Sequence, residues 1–258
     1  MFIPLDDATL YVASFGSAPR TLVAMGGWTG SWELWADPFA ILSQNWRTVA
    51  YDHRGCGATL APVESITFPT LVSDVFAVLD ALGIERCVLA AESSGAAVAL
   101  QAALEQPHRF QGLVLVDGVY QRPMSDGPAP FVRALRADYA GTLAGFVNAC
   151  LPEPNSEPLR RWGRMILDRA SQAAAIRLYE CLQGVDLRPD VARIQQPTLL
   201  LHGDADVIVP LAESEWLAGQ IPGSRLHVVR GAGHVPTISR PREVAEAINR
   251  YFDPLLMP

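Results

Sequence analysis

The sequence predicts an α/β protein with a mostly parallel central sheet, helices on both faces and a helical insertion. Three observations carry that prediction. Short all-apolar runs recur with helix-like stretches between them, the pattern of buried parallel strands joined by helical crossovers. One of these runs, Cys87-Val88-Leu89-Ala90-Ala91, leads into Glu92-Ser93-Ser94-Gly95 and then small residues with helical character. The alternation stops after Val116, and from about Gln121 to Gln196 no strong strand pattern appears.

Residues 5–15 read as an antiparallel hairpin that edges the sheet. Strands are expected at Thr21–Met25, Arg47–Tyr51, 87–91, 112–116, 197–201 and Arg225–Val229. Helices are expected at 70–82, ending at Gly83, and at 96–104. In the central stretch Phe131, Leu135, Phe146, Leu159, Trp162, Met165, Leu178 and Leu182 fall in helix-like patterns broken by Pro and Gly. The expected organisation is a core of residues 1–120 and 191–258 with a helical cap insertion at 121–190. Such an insertion leaves the C-terminal end of a strand, where open α/β sheets bind ligands. No internal repeat or low-complexity tract interrupts this order.

Composition narrows the chemistry. The 258 residues suffice for one large domain. Half are hydrophobic, 18% are charged and the net charge is −7, which argues against disorder and nucleic-acid binding. All 20 basic residues are arginine, so Schiff-base and lysine-anchored cofactor mechanisms are excluded. Cys56, Cys87, Cys150 and Cys181 lie far apart without metal-ligand spacing and are expected to be reduced. The first residues lack a basic segment followed by a long apolar one, so a cytoplasmic location is expected, with no membrane partner.

A serine on a tight strand-to-helix turn is the layout of a nucleophile elbow, although Ala91 stands where Gly-x-Ser-x-Gly has its first glycine. Serine needs a base, an acid to orient that base, and donors for the developing oxyanion. His234, in Gly231-Ala232-Gly233-His234, follows the last expected strand. Asp206, in Gly203-Asp204-Ala205-Asp206, follows the one before it, with Asp204 expected in a turn. The order Ser, Asp, His is that of α/β-hydrolases. Asp117, ending the strand after the elbow, is the alternative acid. Glu92 is a candidate contact of the elbow or cleft. His53, His108, His202 and His227 are expected to be structural.

With these motifs in place the chain resembles the α/β-hydrolase family over almost its full length. Gly26-Gly27-Trp28 stands where the family usually has His-Gly, and Asp52-His53-Arg54-Gly55 is similar to its Asp-x-Arg-Gly segment. The resemblance implies an α/β-hydrolase fold with Ser93 as nucleophile, His234 as base and Asp206 as acid of a catalytic triad. It also implies an oxyanion hole from the backbone N–H groups of Trp28 and Ser94, with Gly27 as a further donor. Some lactonases of the family take the acid from the position of Asp117. Gly95 would let the helix approach the strand. Trp28, Trp32 and Trp35 are candidates for pocket walls, but an indole is also a large core filler, so only Trp28 is assigned to the site, through its backbone.

The expected activity is a serine hydrolase of the carboxylesterase or lactonase kind, working through acyl-Ser93. The alternatives are a carbon–carbon bond hydrolase, a thioesterase, or a ligand receptor that retains the triad. A carbon–carbon hydrolase would use an insertion arginine for a substrate carboxylate, and Arg133, Arg136, Arg160, Arg161, Arg164 and Arg169 are candidates. The mechanism needs no metal or organic cofactor. The expected partner is a small-molecule ester or lactone, on a monomer or homodimer.

Overall fold

The computed structural model describes residues 1–124 and 126–256. Ser125, in the expected insertion, and Met257 and Pro258, at the end of the expected core, lie outside the described residues. Eight strands form one sheet: β1 (Phe2–Pro4), β2 (Thr9–Phe15), β3 (Thr21–Met25), β4 (Arg47–Tyr51), β5 (Cys87–Glu92), β6 (Phe110–Val116), β7 (Thr198–Gly203) and β8 (Arg225–Val229). Their spatial order is β1-β2-β4-β3-β5-β6-β7-β8. The pairs β1–β2 and β2–β4 are antiparallel, and every other neighbouring pair is parallel. Every residue of β3, β5 and β7 is buried, which is why these strands read as unbroken apolar runs.

The helices are α1 (Ala36–Leu42), α2 (Phe68–Ala81), α3 (Gly95–Glu105), α4 (Pro130–Ala137), α5 (Tyr139–Cys150), α6 (Glu157–Leu167), α7 (Gln172–Glu180), α8 (Leu211–Gln220), α9 (Pro236–Ser239) and α10 (Pro241–Leu256). Thr67 caps α2 by accepting from the Thr70 N–H, and Gly83 with φ +62° ends that region. Packing pairs α2 with α3 and α1 with α10. A Cβ on Gly95 would lie 2.6 Å from the Gly26 carbonyl oxygen, so the close approach of α3 to the loop after β3 requires glycine.

The structure moves several expected boundaries. The hairpin begins at Phe2, and residues 5–8 form its turn, closed by the Leu5 N–H on the Ala8 carbonyl. β6 starts at Phe110 rather than 112, β7 starts one residue later than expected, and β5 and β7 run on through Glu92 and His202-Gly203. Those extensions are polar yet buried, because Thr237 partners Glu92 while Ser214 and Val209 partner His202. Helices α1, α8 and α10 lie in stretches the sequence reading left unassigned.

Four helices, α4 to α7, occupy the interval between β6 and β7. The chain entering and leaving them is stitched together: Arg122 N–H to Val185 O is 2.7 Å, Gly184 N–H to Arg122 O is 2.8 Å, and Leu187 N–H to Tyr120 O is 3.1 Å. Leu143, Val147, Ile166, Ala175 and Leu178 turn inward and join the hydrophobic core. Trp28 fastens this layer to the sheet side, donating its indole N–H to Ala175 O at 2.7 Å and meeting Phe131 and Phe146 edge-on.

Strand register sets where the loops meet. Met25 pairs with Ala91, Glu92 with Val116, Val116 with Leu201 and Gly203 with Val229. The parallel strands therefore finish level, and the loops that follow β3, β5, β6, β7 and β8 gather at one end of the sheet. All four cysteines are free thiols. Among the described residues no helix is long and apolar enough to cross a membrane.

Candidate active site

Ser93 stands at the turn between β5 and α3 with φ +51°, a left-handed conformation that costs a non-glycine residue roughly 1–2 kcal/mol. Three backbone bonds hold it there: its N–H donates to Val116 O at 2.8 Å, and its carbonyl accepts from Ala96 at 3.0 Å and Val119 at 2.9 Å. A Cβ on Gly27 would come within 2.7 Å of the Ser93 Cβ, so the loop after β3 reaches the serine only as glycine.

His234 lies on the loop between β8 and α9. Its backbone N–H donates to Cys150 O at 2.9 Å, and the neighbouring Gly233 N–H donates to Glu153 Oε1 at 2.9 Å. The ring Nε2 is 2.8 Å from Ser93 Oγ, and Nδ1 is 2.7 Å from Asp206 Oδ2. The other Asp206 oxygen accepts from the N–H groups of Ile208 at 2.7 Å and Val209 at 3.1 Å. Burial pushes the Asp206 carboxyl upward, but the bonded His234 imidazole and the two N–H groups outweigh it and hold it below the ordinary value. An ionised Asp206 can only accept, so the His234 proton belongs on Nδ1 and the Nε2 lone pair faces the serine hydroxyl.

Asp117, the alternative acid, follows β6 with φ +47° and is fully buried. Its Oδ1 accepts from the Gly203 N–H at 3.0 Å and lies 3.4 Å from His202 Nε2. Its Oδ2 has no hydrogen-bond partner among the described residues. Burial, then the charge of Asp206, raise its carboxyl well above the ordinary range. The two acids are thus driven apart, Asp206 toward the anion and Asp117 toward the neutral acid. His202, expected to be structural, does not touch Ser93 but stands beside both acids, 3.5 Å from Asp206 Oδ2. Asp204 accepts from the Gly231 N–H at 2.6 Å, tying the β7 and β8 loops together.

Asp117, Asp206 and His234 offer ligand atoms within 4.8 Å of one another. Both Asp206 oxygens and both His234 nitrogens are already engaged. That leaves Asp117 Oδ2 as the one unengaged donor of the three, a poor set for a divalent cation.

Two chambers open on Ser93. The first, about 50 Å³, is lined by Gly27, Trp28, Glu92, His234 and apolar side chains of α5 and α6. Thr29 Oγ1 and Glu92 Oε2, both of residues in this lining, are buried without a partner among the described residues. Glu92 Oε1 accepts from Thr237 at 2.5 Å. Burial pushes the Glu92 carboxyl up to about 8, against the opposing Thr237 bond. The second chamber, about 380 Å³, is lined by Trp28, Ser93, Ser94, Gln121, Arg122, Phe131, Phe146, Tyr179 and the Val207–Val209 stretch among others. Among the described residues, the N–H groups of Trp28 and Ser94 meet no hydrogen-bond acceptor.

For Trp32, Trp35 and the six candidate arginines the core or solvent-facing alternative holds. Trp32 and Trp35 line neither chamber; Trp35 is a core residue bonded to Met25 O at 3.1 Å. Trp28 does more than its backbone role implies, since its indole walls both chambers. None of the six insertion arginines lines either chamber. Arg136, Arg164 and Arg169 pair with Glu180, Glu157 and Glu33, and Arg133 and Arg160 bond backbone carbonyls. Arg122, which the sequence reading passed over, does line the second chamber.

Residues 22–247 match the alpha/beta hydrolase family. A pimeloyl-[acyl-carrier protein] methyl ester esterase of Aeromonas hydrophila is 31% identical over 253 residues, covering 93% of this chain and 98% of that protein. A putative carbamate hydrolase, RutD, of Pseudomonas savastanoi is 30% identical over 230 residues, covering 85% and 88%. Among solved structures, an esterase from Exiguobacterium antarcticum superposes with a TM-score of 0.90 at 25% identity, covering 98% of each chain. With its level strand ends, its serine turn and this match over most of its length, the chain belongs to the alpha/beta hydrolase family.

Proposed function

We propose that the protein is a serine hydrolase that cleaves a carboxylic ester or lactone through an acyl-Ser93 intermediate. The observation that carries this reading is the unbroken relay from Asp206 through His234 to Ser93, with contacts of 2.7 and 2.8 Å. In this mechanism Ser93 Oγ attacks the carbonyl carbon as His234 Nε2 takes its proton. Asp206 fixes the imidazole tautomer and favours the imidazolium. The N–H groups of Trp28 and Ser94 receive the oxyanion, with Gly27 as a further donor, and one such donor is worth about 10²–10³ in rate. His234 then gives its proton to the leaving alkoxide. Water, activated by the same imidazole, releases the acid and restores Ser93. Asp117 is assigned a supporting place, as a buried neighbour of the acid whose own pKa is raised.

In this reading the segment 121–190 is a cap on a core of 1–120 and 191–258. The leaving oxygen must lie beside His234, so the leaving group extends into the first chamber, whose 50 Å³ suits a small alcohol. One relative bears the name of a methyl ester esterase, which accords with that size. The test is Ser93→Ala assayed on short p-nitrophenyl esters. Turnover is expected to fall by about 10⁴–10⁶ with the thermal melt unchanged. Retained turnover in the folded variant would overturn the assignment.

A further inference from the structure

The second chamber contains one charged side chain, Arg122, and no carboxylate among its lining residues. Arg122 makes no ion pair among the described residues. Its guanidinium lies over the Tyr179 ring, 3.8 Å from the centroid, and its Nε is buried without a hydrogen-bond partner. Burial lowers its pKa from the ordinary guanidinium value, as for a cation short of a counter-charge. The backbone on either side is pinned by the bonds to Val185 and Gly184, so the side chain springs from a fixed point. A half-buried cation over an aromatic ring, with its Nε–H unpartnered among the described residues, is a receptor for a carboxylate.

We infer that Arg122 is the anion subsite of the enzyme and that the preferred substrate carries a carboxylate on its acyl portion. This rests on the esterase reading above. The side of the ester follows from the two chambers. His234 lines the first chamber and is absent from the lining of the second, so the group that leaves with a proton from His234 occupies the first. The acyl chain then lies in the second, along Phe131 and Phe146 toward Arg122. The substrate class is a half-ester of a dicarboxylic acid with a small alcohol, or the corresponding lactone acid.

Matched substrates test this: monomethyl and dimethyl esters of the linear dicarboxylic acids from succinate to suberate, with acetate esters of ω-hydroxy acids placing the charge on the alcohol side. The wild-type protein is expected to favour the best monomethyl ester over its dimethyl partner by about 10–100-fold in kcat/KM, the usual range for a hydrogen-bonded charge pair. Arg122→Met should abolish that preference through KM, and Arg122→Lys should restore part of it. Equal loss on both esters, or a preference for charge on the alcohol side, would overturn the inference. Calorimetric binding of the dicarboxylate monoamides to Ser93→Ala, with and without Arg122→Met, separates the two readings. Turnover of the dimethyl esters without Arg122-dependent binding leaves the esterase reading standing and removes the subsite. Arg122-dependent binding without any ester turnover does the reverse.

Discussion

At the strand ends, Ser93, Asp206 and His234 are each fixed by backbone or side-chain hydrogen bonds to buried partners. Helices α4 to α7 meet the same cleft through ring contacts of Phe131 and Phe146 with Trp28, and their outer rim is tied by ion pairs such as Arg169–Glu33, whose side chains are 40% and 17% exposed. The first region spends strain and buried polarity on atomic placement. The second offers apolar walls and, in the link that leads into it, the Arg122 guanidinium over the Tyr179 ring. Chemistry is therefore expected to fail abruptly when the strand ends are altered, whereas changes in the helical layer should shift selectivity or stability by degrees.

The sharpest way to break this comparison is the pair of acids. Asp206→Asn should lower kcat by about 10⁴, because an amide NH₂ facing Nδ1 favours the wrong imidazole tautomer. Asp117→Asn should lose far less, since burial and the Asp206 charge raise its pKa and no hydrogen bond joins it to His234, whose ring nitrogens are taken by Asp206 and Ser93. Steady-state kinetics of both variants decide this, and a larger loss at Asp117 would transfer the acid's role there.

Glu92 gives a smaller effect at the same strand ends. Its carboxyl titrates near 8 in the folded chain against an ordinary 4.5. Below that ordinary value both folded and unfolded chains are protonated. As pH rises from there to about 8 the unfolded chain releases its proton first, so stability falls across that window and levels off above it. Glu92→Gln mimics the neutral acid and should gain stability relative to wild type, on the order of a few kcal/mol, between about pH 5 and about pH 9. Urea unfolding across that range checks it, and parallel curves for the two proteins would refute it. The smallest effect belongs to the helical layer: Arg169→Ala should cost about 0.5 kcal/mol, as exposed ion pairs do, with kcat unchanged.

The two regions also differ in how openly the sequence spoke of them. Strands β3 to β7 were legible because burial on both faces leaves mostly apolar residues, and Ser93, Asp206 and His234 were singled out because each follows an expected strand in a recognisable turn. Glu92 and His202 hid the true ends of β5 and β7, since a buried polar residue looks like a loop until its partner is known. Arg122 escaped notice because it lies in the link between β6 and α4, where no periodicity exists. Its neighbours in space, Tyr179 and Val185, are more than fifty residues away along the chain. Nor does any pattern in the sequence reveal that Trp28 walls both chambers, which depends on where Ala175 stops.

The hydrogen bond between Ser93 and His234 joins residues 141 positions apart, with three further strands and, among the described residues, six α-helices formed from the chain between them. Closing so long a loop is entropically slow, and contacts of this range form late in folding. Regained ester turnover after dilution from denaturant is therefore a clock for completion of the whole sheet, lagging behind the recovery of helix and strand signals. If Ser93 and His234 act as proposed, a nascent chain that has not yet delivered β8 carries a shaped serine turn with no base, and the newly made protein is expected to stay silent toward esters until its last strand is in place.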